Sequence, residues 1–275
     1  MTNNSTRHEF RVGYATAPCR LALTGEQIER LERALGAFEK PFLPGALAAV
    51  NIEPFVNIPV SRLPPGATRA VTSSATWIFG APIEIGDPLV VQTRVVGHRI
   101  SGGREFVDLE TAAKLESGAP VLSVSVSLSW KLRQELDSVF DRQSKPRSDE
   151  DIQDSRSLTW SSPLKRSAVS ALFEARPDLE MNPHASQEAA RIYGFPSLLV
   201  SAPHLGCLIM AGFFNGVPQP GTEVSLHFLK PVLAGDEIAL ERSVLDERHD
   251  TVRLWSRSHN VPSLCVKGTV TRNGI

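Results

Sequence analysis

The spacing of apolar side chains predicts two helices near the N-terminus, followed by extended segments. Residues 26–38 carry apolar side chains at helical spacing and follow Thr24, which predicts a capped, amphipathic surface helix. The segment 43–52 is apolar on nearly all sides, as is typical of a buried helix. The prolines between Pro54 and Pro65 then indicate an extended loop rather than further helix.

From residue 70 onward the apolar side chains recur at every second position, which is the period of a β-strand. Strands are predicted over residues 71–79, 89–97, 105–114 and 122–130. The last of them has the clearest pattern, because apolar residues on one face alternate with four serines on the other. A buried helix followed by long antiparallel strands is an α+β unit in which the sheet wraps the helix.

The composition narrows the class of protein. The 275-residue chain contains 41% hydrophobic and 21% charged residues, which is typical of a globular protein with a full core. Its formal net charge of −1 provides no field that would attract nucleic acid or an anionic membrane. No apolar run approaches the roughly 18 residues of a membrane span, and the polar N-terminus is unlike a secretory signal. We therefore expect a cytoplasmic protein that binds neither nucleic acid nor a membrane.

The cysteines give no indication of a metal or cofactor. Cys19, Cys207 and Cys265 are widely spaced, odd in number and fit no metal-ligand pattern. We expect free thiols in a reducing compartment, and a protein that works without a metal or a cofactor.

A polar segment divides the chain. Residues 133–158 are charged, rich in serine and poor in apolar residues, which indicates a solvated linker or crossover. The predicted domains are therefore an N-terminal half, residues 1–132, this linker, and a C-terminal half, residues 159–275.

The second half repeats the first. Residues 82–89 match residues 231–238 at a constant offset of 149, and the same offset pairs Phe79 with Phe228. In both halves a helix precedes strands that are joined by a Gly-Asp turn. Two similar units in one chain are expected to pack as an internal pseudo-dimer, with a pocket where they meet.

One stretch of the second half combines the groups needed for proton transfer. His184 follows Asp178 and Glu180 closely and lies next to an Asn-Pro turn. An apolar run over residues 197–205 comes soon after it. A carboxylate and an imidazole beside a buried apolar element can perform acid–base chemistry in an apolar pocket.

These features resemble a known family. The Pro-x-x-x-Gly-Asp turn at residues 82–87 and the Asn-Pro-His … Gly-Phe-Pro run at residues 182–196 resemble the MaoC-like (R)-specific enoyl thioester hydratase/dehydratase family. The duplication resembles its double hot-dog branch, in which one half keeps the catalytic motif. The resemblance covers about residues 40–130 and 160–272. It implies an α+β double hot-dog fold, with two antiparallel sheets that each wrap a central helix and pack as a pseudo-dimer.

The resemblance also implies a catalytic pair. His184 takes the place of the family's histidine, although one residue is missing between Pro183 and His184. Glu180 stands where the family has aspartate, and Asp178 is the alternative carboxylate if the loop folds differently. Asn182 is either a turn former or an orienting donor. The alternative interpretation is that His184 only caps a helix and Glu180 is solvated.

Further substrate-binding groups are implied near the apolar run. Ser201 and Ala202 replace the family's His-Gly pair, and their backbone amides are candidates for an oxyanion site, because such a site needs N–H groups at a helix N-terminus rather than a particular side chain. His204 lies on the same apolar helix and is a candidate for contact with the substrate. It could instead be a core histidine.

The resemblance implies a hydro-lyase that acts on an acyl thioester of coenzyme A or of an acyl carrier protein. The reaction would interconvert a 3-hydroxyacyl and a trans-2-enoyl thioester. A homodimer of the chain is also possible on this resemblance. Two alternatives stay open on the residues alone. One is a non-catalytic acyl-binding or partner subunit, and the other is a hot-dog thioesterase.

Overall fold

The computed structural model describes most of the chain, in nine segments. These are residues 11–22, 24–35, 71–84, 86–131, 158–171, 173, 182–214, 218–258 and 261–273. The predicted buried helix over 43–52 and nearly all of the predicted linker lie outside the described residues.

The described residues form an antiparallel sheet with four helices. The strands are β1 Cys19–Ala22, β2 Val71–Phe79, β3 Pro88–Ser101, β4 Arg104–Leu115, β5 Pro120–Lys131, β6 Thr222–Phe228, β7 Glu237–Val244, β8 His249–Ser258 and β9 Val261–Arg272. The helices are α1 Gly25–Ala34, α2 Arg166–Ala171, α3 Gln187–Ile192 and α4 Ala202–Phe213. The four strands predicted in the first half are confirmed as β2 to β5, and the predicted helix after Thr24 is confirmed as α1.

The strands form one nine-stranded sheet, in the order β1-β3-β4-β5-β2-β6-β9-β8-β7. Apart from β1, the order is symmetric about the β2–β6 pair, so the two predicted sheets join edge to edge at this pair. Thr76 of β2 lies opposite Ser225 of β6, and their hydroxyl oxygens are 2.8 Å apart. These two residues are separated by the repeat offset of 149. The internal pseudo-twofold axis therefore passes between them.

The repeated Gly-Asp turns have the same conformation in both halves. Gly86 and Gly235 have φ angles of 92° and 100°, a left-handed region that glycine adopts without steric cost. In each turn, the residue two positions before the glycine donates its backbone N–H to a carboxylate. The acceptors are Asp87 at 2.7 Å and Asp236 at 3.0 Å. The duplication seen in the sequence is therefore also a duplication of structure.

Helix α4 lies at the centre of the core. Ten of its residues are buried, which agrees with its lack of a polar face. It packs closely against the first half of the sheet at Gly206, where a Cβ atom would lie 2.8 Å from the ring of Trp77 on β2. Trp77 is itself only 1% exposed. The central helix of the second half thus contacts a strand of the first half.

At each outer edge of the sheet, the segment that precedes the strands of that half in the sequence forms hydrogen bonds with the outermost of them. Strand β1 pairs with β3 at one edge. At the other edge, Ser161 donates its N–H to Ile238 and Leu164 donates to Asp236, both at 2.8 Å. Helix α1 packs on α2. Within the described part of the chain, no helix is both long and apolar enough to span a membrane.

Candidate active site

The turn that carries His184 is held by local hydrogen bonds. Asn182, which is buried, accepts the backbone N–H of His184 on its side-chain oxygen at 2.9 Å. Ser186 caps helix α3 by accepting an N–H of its first turn. Across the loop, Leu199 donates its N–H to the carbonyl of Pro183 at 3.0 Å. These bonds fix the backbone of His184 relative to the start of α4.

The contacts of the His184 ring determine which nitrogen is basic. Nδ1 lies 2.7 Å from the carbonyl oxygen of Leu199. A carbonyl can only accept, so Nδ1 carries the proton and Nε2 keeps its lone pair. Burial lowers the pKa of His184 to about 4, and the bond to Leu199 opposes this shift only in part. At neutral pH His184 is therefore an uncharged imidazole whose Nε2 can accept a proton.

An aromatic ring lies over one face of this imidazole. Phe173 stacks on His184 with the two ring centroids 5.2 Å apart and the planes inclined by 18°. This separation is within the usual range for stacked aromatic side chains.

The N-terminus of α4 presents free backbone donors. Ser201 is the N-cap, and its hydroxyl and carbonyl oxygens accept the N–H groups of His204 and Leu205. Pro203 has no N–H. Within the described residues, no hydrogen bond uses the amides of Ser201 and Ala202. Because the helix dipole makes this end electropositive, these two amides are suited to bind a developing negative charge.

His204 joins α4 to α1. The side chain is fully buried, and Nε2 donates to the carbonyl oxygen of Ala34 at 2.7 Å, at the end of α1. With the proton on Nε2, Nδ1 has a lone pair, and this buried atom has no hydrogen-bond partner among the residues that the structure describes. Burial lowers the pKa of His204 to about 4, and the nearby His184 adds to the shift. Both histidines are therefore neutral, and each has one nitrogen with an available lone pair.

The predicted site residues thus fall into two groups. The structure brings His184, Asn182, Ser201, Ala202 and His204 together around the start of α4. The two predicted carboxylates, at positions 178 and 180, lie outside the described residues, so their roles stay predictions.

Sequence reasoning missed three contributors to this site. Phe173 lies in a stretch of the sequence that shows no helical or strand periodicity. Leu199 and Ala34 contribute only a backbone carbonyl, which every residue possesses, so no residue type indicates them. Among the described residues, no cluster of three or more His, Cys, Asp or Glu side chains is arranged to hold a metal ion.

Comparison with known proteins identifies the fold. No protein-family model matches the chain, and no curated protein matches its sequence. Solved structures do match. A MaoC-like dehydratase from Phytophthora capsici is 12% identical with a TM-score of 0.69, over 98% of this chain and 99% of that one. HtdX of Mycobacterium tuberculosis is 16% identical with a TM-score of 0.63, over 93% of this chain and 98% of that one.

A third match names the architecture. A further Mycobacterium tuberculosis protein, whose description states a double hotdog fold, is 12% identical with a TM-score of 0.60. The match covers 96% of this chain and 97% of that one. The chain has the double hot-dog fold of the MaoC-like dehydratases. In this double hot-dog protein, the only central helix among the described residues is α4, and the candidate catalytic groups lie at its N-terminus.

Proposed function

We propose that this protein is a hydratase/dehydratase that interconverts a 3-hydroxyacyl and a trans-2-enoyl thioester of coenzyme A or of an acyl carrier protein. One observation carries the proposal: a neutral His184, with Nε2 available as a base, is hydrogen-bonded to Leu199, two residues before the free amides at the start of α4. The shared fold with proteins named MaoC-like dehydratases supports the same class of reaction.

In the proposed hydration, the oxygen of a water molecule bonds to the β-carbon of the enoyl thioester. Nε2 of His184 takes one proton of that water. The π electrons move onto the thioester oxygen, where the amides of Ser201 and Ala202 stabilise the negative charge. The imidazolium then gives up the proton it took, which ends on the α-carbon, while the other hydrogen of the water stays on the new hydroxyl group, so the addition of water is complete. Dehydration follows the same steps in reverse.

A carboxylate is needed beside this histidine. An imidazole with a pKa of about 4 is a weak base at neutral pH. A nearby carboxylate stabilises the imidazolium and can accept a hydrogen bond from the other hydrogen of the same water, which stays on the product hydroxyl. We assign this role to Glu180, with Asp178 as the alternative. We expect kcat to fall about 100-fold or more when the working carboxylate is replaced by its amide, by Glu180→Gln or by Asp178→Asn. The substitution at the other carboxylate is expected to change kcat little.

The remaining predicted residues bind or orient. Asn182 holds the backbone of His184 through its side-chain oxygen. The lone pair on Nδ1 of His204 is an acceptor for a hydroxyl or water hydrogen at the start of α4. In this proposal the substrate is therefore held by two amide donors and one imidazole acceptor.

Three assays distinguish this proposal from the two alternatives. Hydration of crotonyl-CoA is followed by the loss of the conjugated enoyl absorbance, and hydrolysis of butyryl-CoA by release of free thiol. Binding of each thioester is measured by calorimetry. Hydration supports the proposal, whereas thiol release without hydration indicates a thioesterase. Binding without either reaction indicates a non-catalytic acyl-binding subunit.

The variant that tests the mechanism is His184→Gln. It is expected to lower kcat for hydration by about 100-fold or more, because the general base is lost. His227→Gln is the matched control, since His227 is exposed on β6. Full activity of His184→Gln would contradict the mechanism.

A further inference from the structure

Phe173 has no part in the proposed reaction, yet it contacts the proposed base directly. It is half-buried, lies just after α2 and packs against the main hydrophobic core. Its ring covers one face of His184, with centroids 5.2 Å apart and planes inclined by 18°.

The hydrogen bond to Leu199 leaves the orientation of the imidazole incompletely determined. It holds Nδ1 at 2.7 Å from the carbonyl oxygen. Acceptor geometry at a carbonyl is broad, so this one bond permits the ring plane to tilt. Any tilt about Nδ1 swings Nε2, which is on the far side of the ring. A second contact is needed to hold the plane, and a nearly parallel aromatic ring provides it.

We infer that Phe173 is a positioning residue for His184, and that its ring sets the imidazole plane and hence the direction of the Nε2 lone pair. The catalytic part of this inference rests on the proposed function, because the direction of Nε2 matters only if His184 is the base. The geometric part, that Phe173 orients the ring, does not depend on any activity.

The surroundings of Phe173 suit this role. It follows α2, and α2 packs on α1. Helix α1 in turn accepts the hydrogen bond of His204 at its last residue, Ala34. Helix α1 and the residue that follows α2 therefore each contact one histidine of the site, Ala34 through its backbone carbonyl and Phe173 through its aromatic face. Phe173 also keeps water from one face of His184, in agreement with the lowered pKa of that ring.

The test compares Phe173→Leu with Phe173→Tyr. Leucine keeps an apolar side chain but removes the ring, whereas tyrosine keeps the ring. Phe214→Leu is the matched control, because Phe214 is also half-buried and in aromatic contact, but lies at the opposite end of α4. If Phe173→Leu does not fold, Phe173→Met replaces it, since methionine fills a similar volume without a ring.

Two readouts are used on each variant. The first is kcat and KM for hydration. The second is the NMR resonance of the His184 ring, which is distinguished from those of the other six of the seven histidines by its absence in His184→Gln. A stacked phenyl ring shifts this resonance upfield, so the shift reports the stack whether or not the protein is active.

For Phe173→Leu we expect the upfield shift to disappear and kcat to fall about tenfold, with KM changed less than about twofold. Phe173→Tyr should retain both properties, and Phe214→Leu should change neither. An unchanged His184 resonance in Phe173→Leu would overturn the inference, as would an equal loss of kcat in Phe214→Leu. If the wild-type protein hydrates no thioester, the proposed function fails, and the NMR comparison still tests the stacking contact on which the geometric part of the inference depends.

Discussion

Acid is expected to destabilise this protein through two histidines of the candidate site, His184 and His204. In the unfolded chain a histidine titrates near its ordinary pKa of 6.5, whereas burial holds the pKa of His184 and His204 at about 4. Between these values the unfolded state binds more protons than the native state. The free energy of unfolding must therefore fall as the pH is lowered through this window, and it is fully restored above pH 6.5.

The size of the effect follows from the shifts. One pKa unit corresponds to about 1.4 kcal/mol, so a shift of about 2.5 units gives roughly 3 kcal/mol for each histidine. For His204 alone this is a substantial part of the whole stability of a typical domain, about 5–15 kcal/mol. His204 provides the sharper test because it is fully buried.

The assay is urea unfolding at intervals between about pH 7.5 and 4.5, for the wild type and His204→Gln. Glutamine cannot be protonated, so the stability lost over this range should be smaller in the variant by roughly 2.5 kcal/mol. His227→Gln removes an exposed histidine of β6 and should leave the wild-type pH dependence unchanged. The reasoning is refuted if His204→Gln loses as much stability on acidification as the wild type does.

Two further predictions concern the core. In Gly206→Ala the new Cβ would lie 2.8 Å from the buried ring of Trp77, so we expect the free energy of unfolding to fall by about 1–3 kcal/mol in urea unfolding. Equal or greater stability would show that the ring moves at little cost. In Asp250→Asn the fully buried carboxylate shared by Arg242 and Arg272 is lost, and thermal unfolding should report a loss of about 2–3 kcal/mol. A loss below about 1 kcal/mol, as for an exposed ion pair, would contradict this.

Much of the fold could be predicted because its signals are local or repeated. The alternation over residues 122–130 identifies the buried face of β5, since successive side chains of a strand point to opposite faces. The repeat offset of 149 predicted two equivalent units, and the paired Gly86 and Gly235 turns confirm it. Strand β1 was not predicted, because Cys19–Ala22 is too short to show a period.

The candidate site was predicted only in part. The sequence indicated His184 and the start of α4, because residue types and the spacing of a motif can be read directly from the sequence. The protonated nitrogen of His184 depends on the carbonyl of Leu199, 15 residues away, and its ring plane on Phe173. The proton on His204 depends on Ala34, which is 170 residues away.

The sequence by itself thus determined the repeat, the strand faces and the acid–base residue types of this protein. Only the tertiary structure decided where the halves join, which is between Thr76 and Ser225, and which nitrogens of His184 and His204 are free. The physical reason is that the local backbone conformation sets the spacing of apolar side chains, so this spacing can be read from consecutive residues. A backbone carbonyl is the same in every residue, and only folding determines which one a histidine meets.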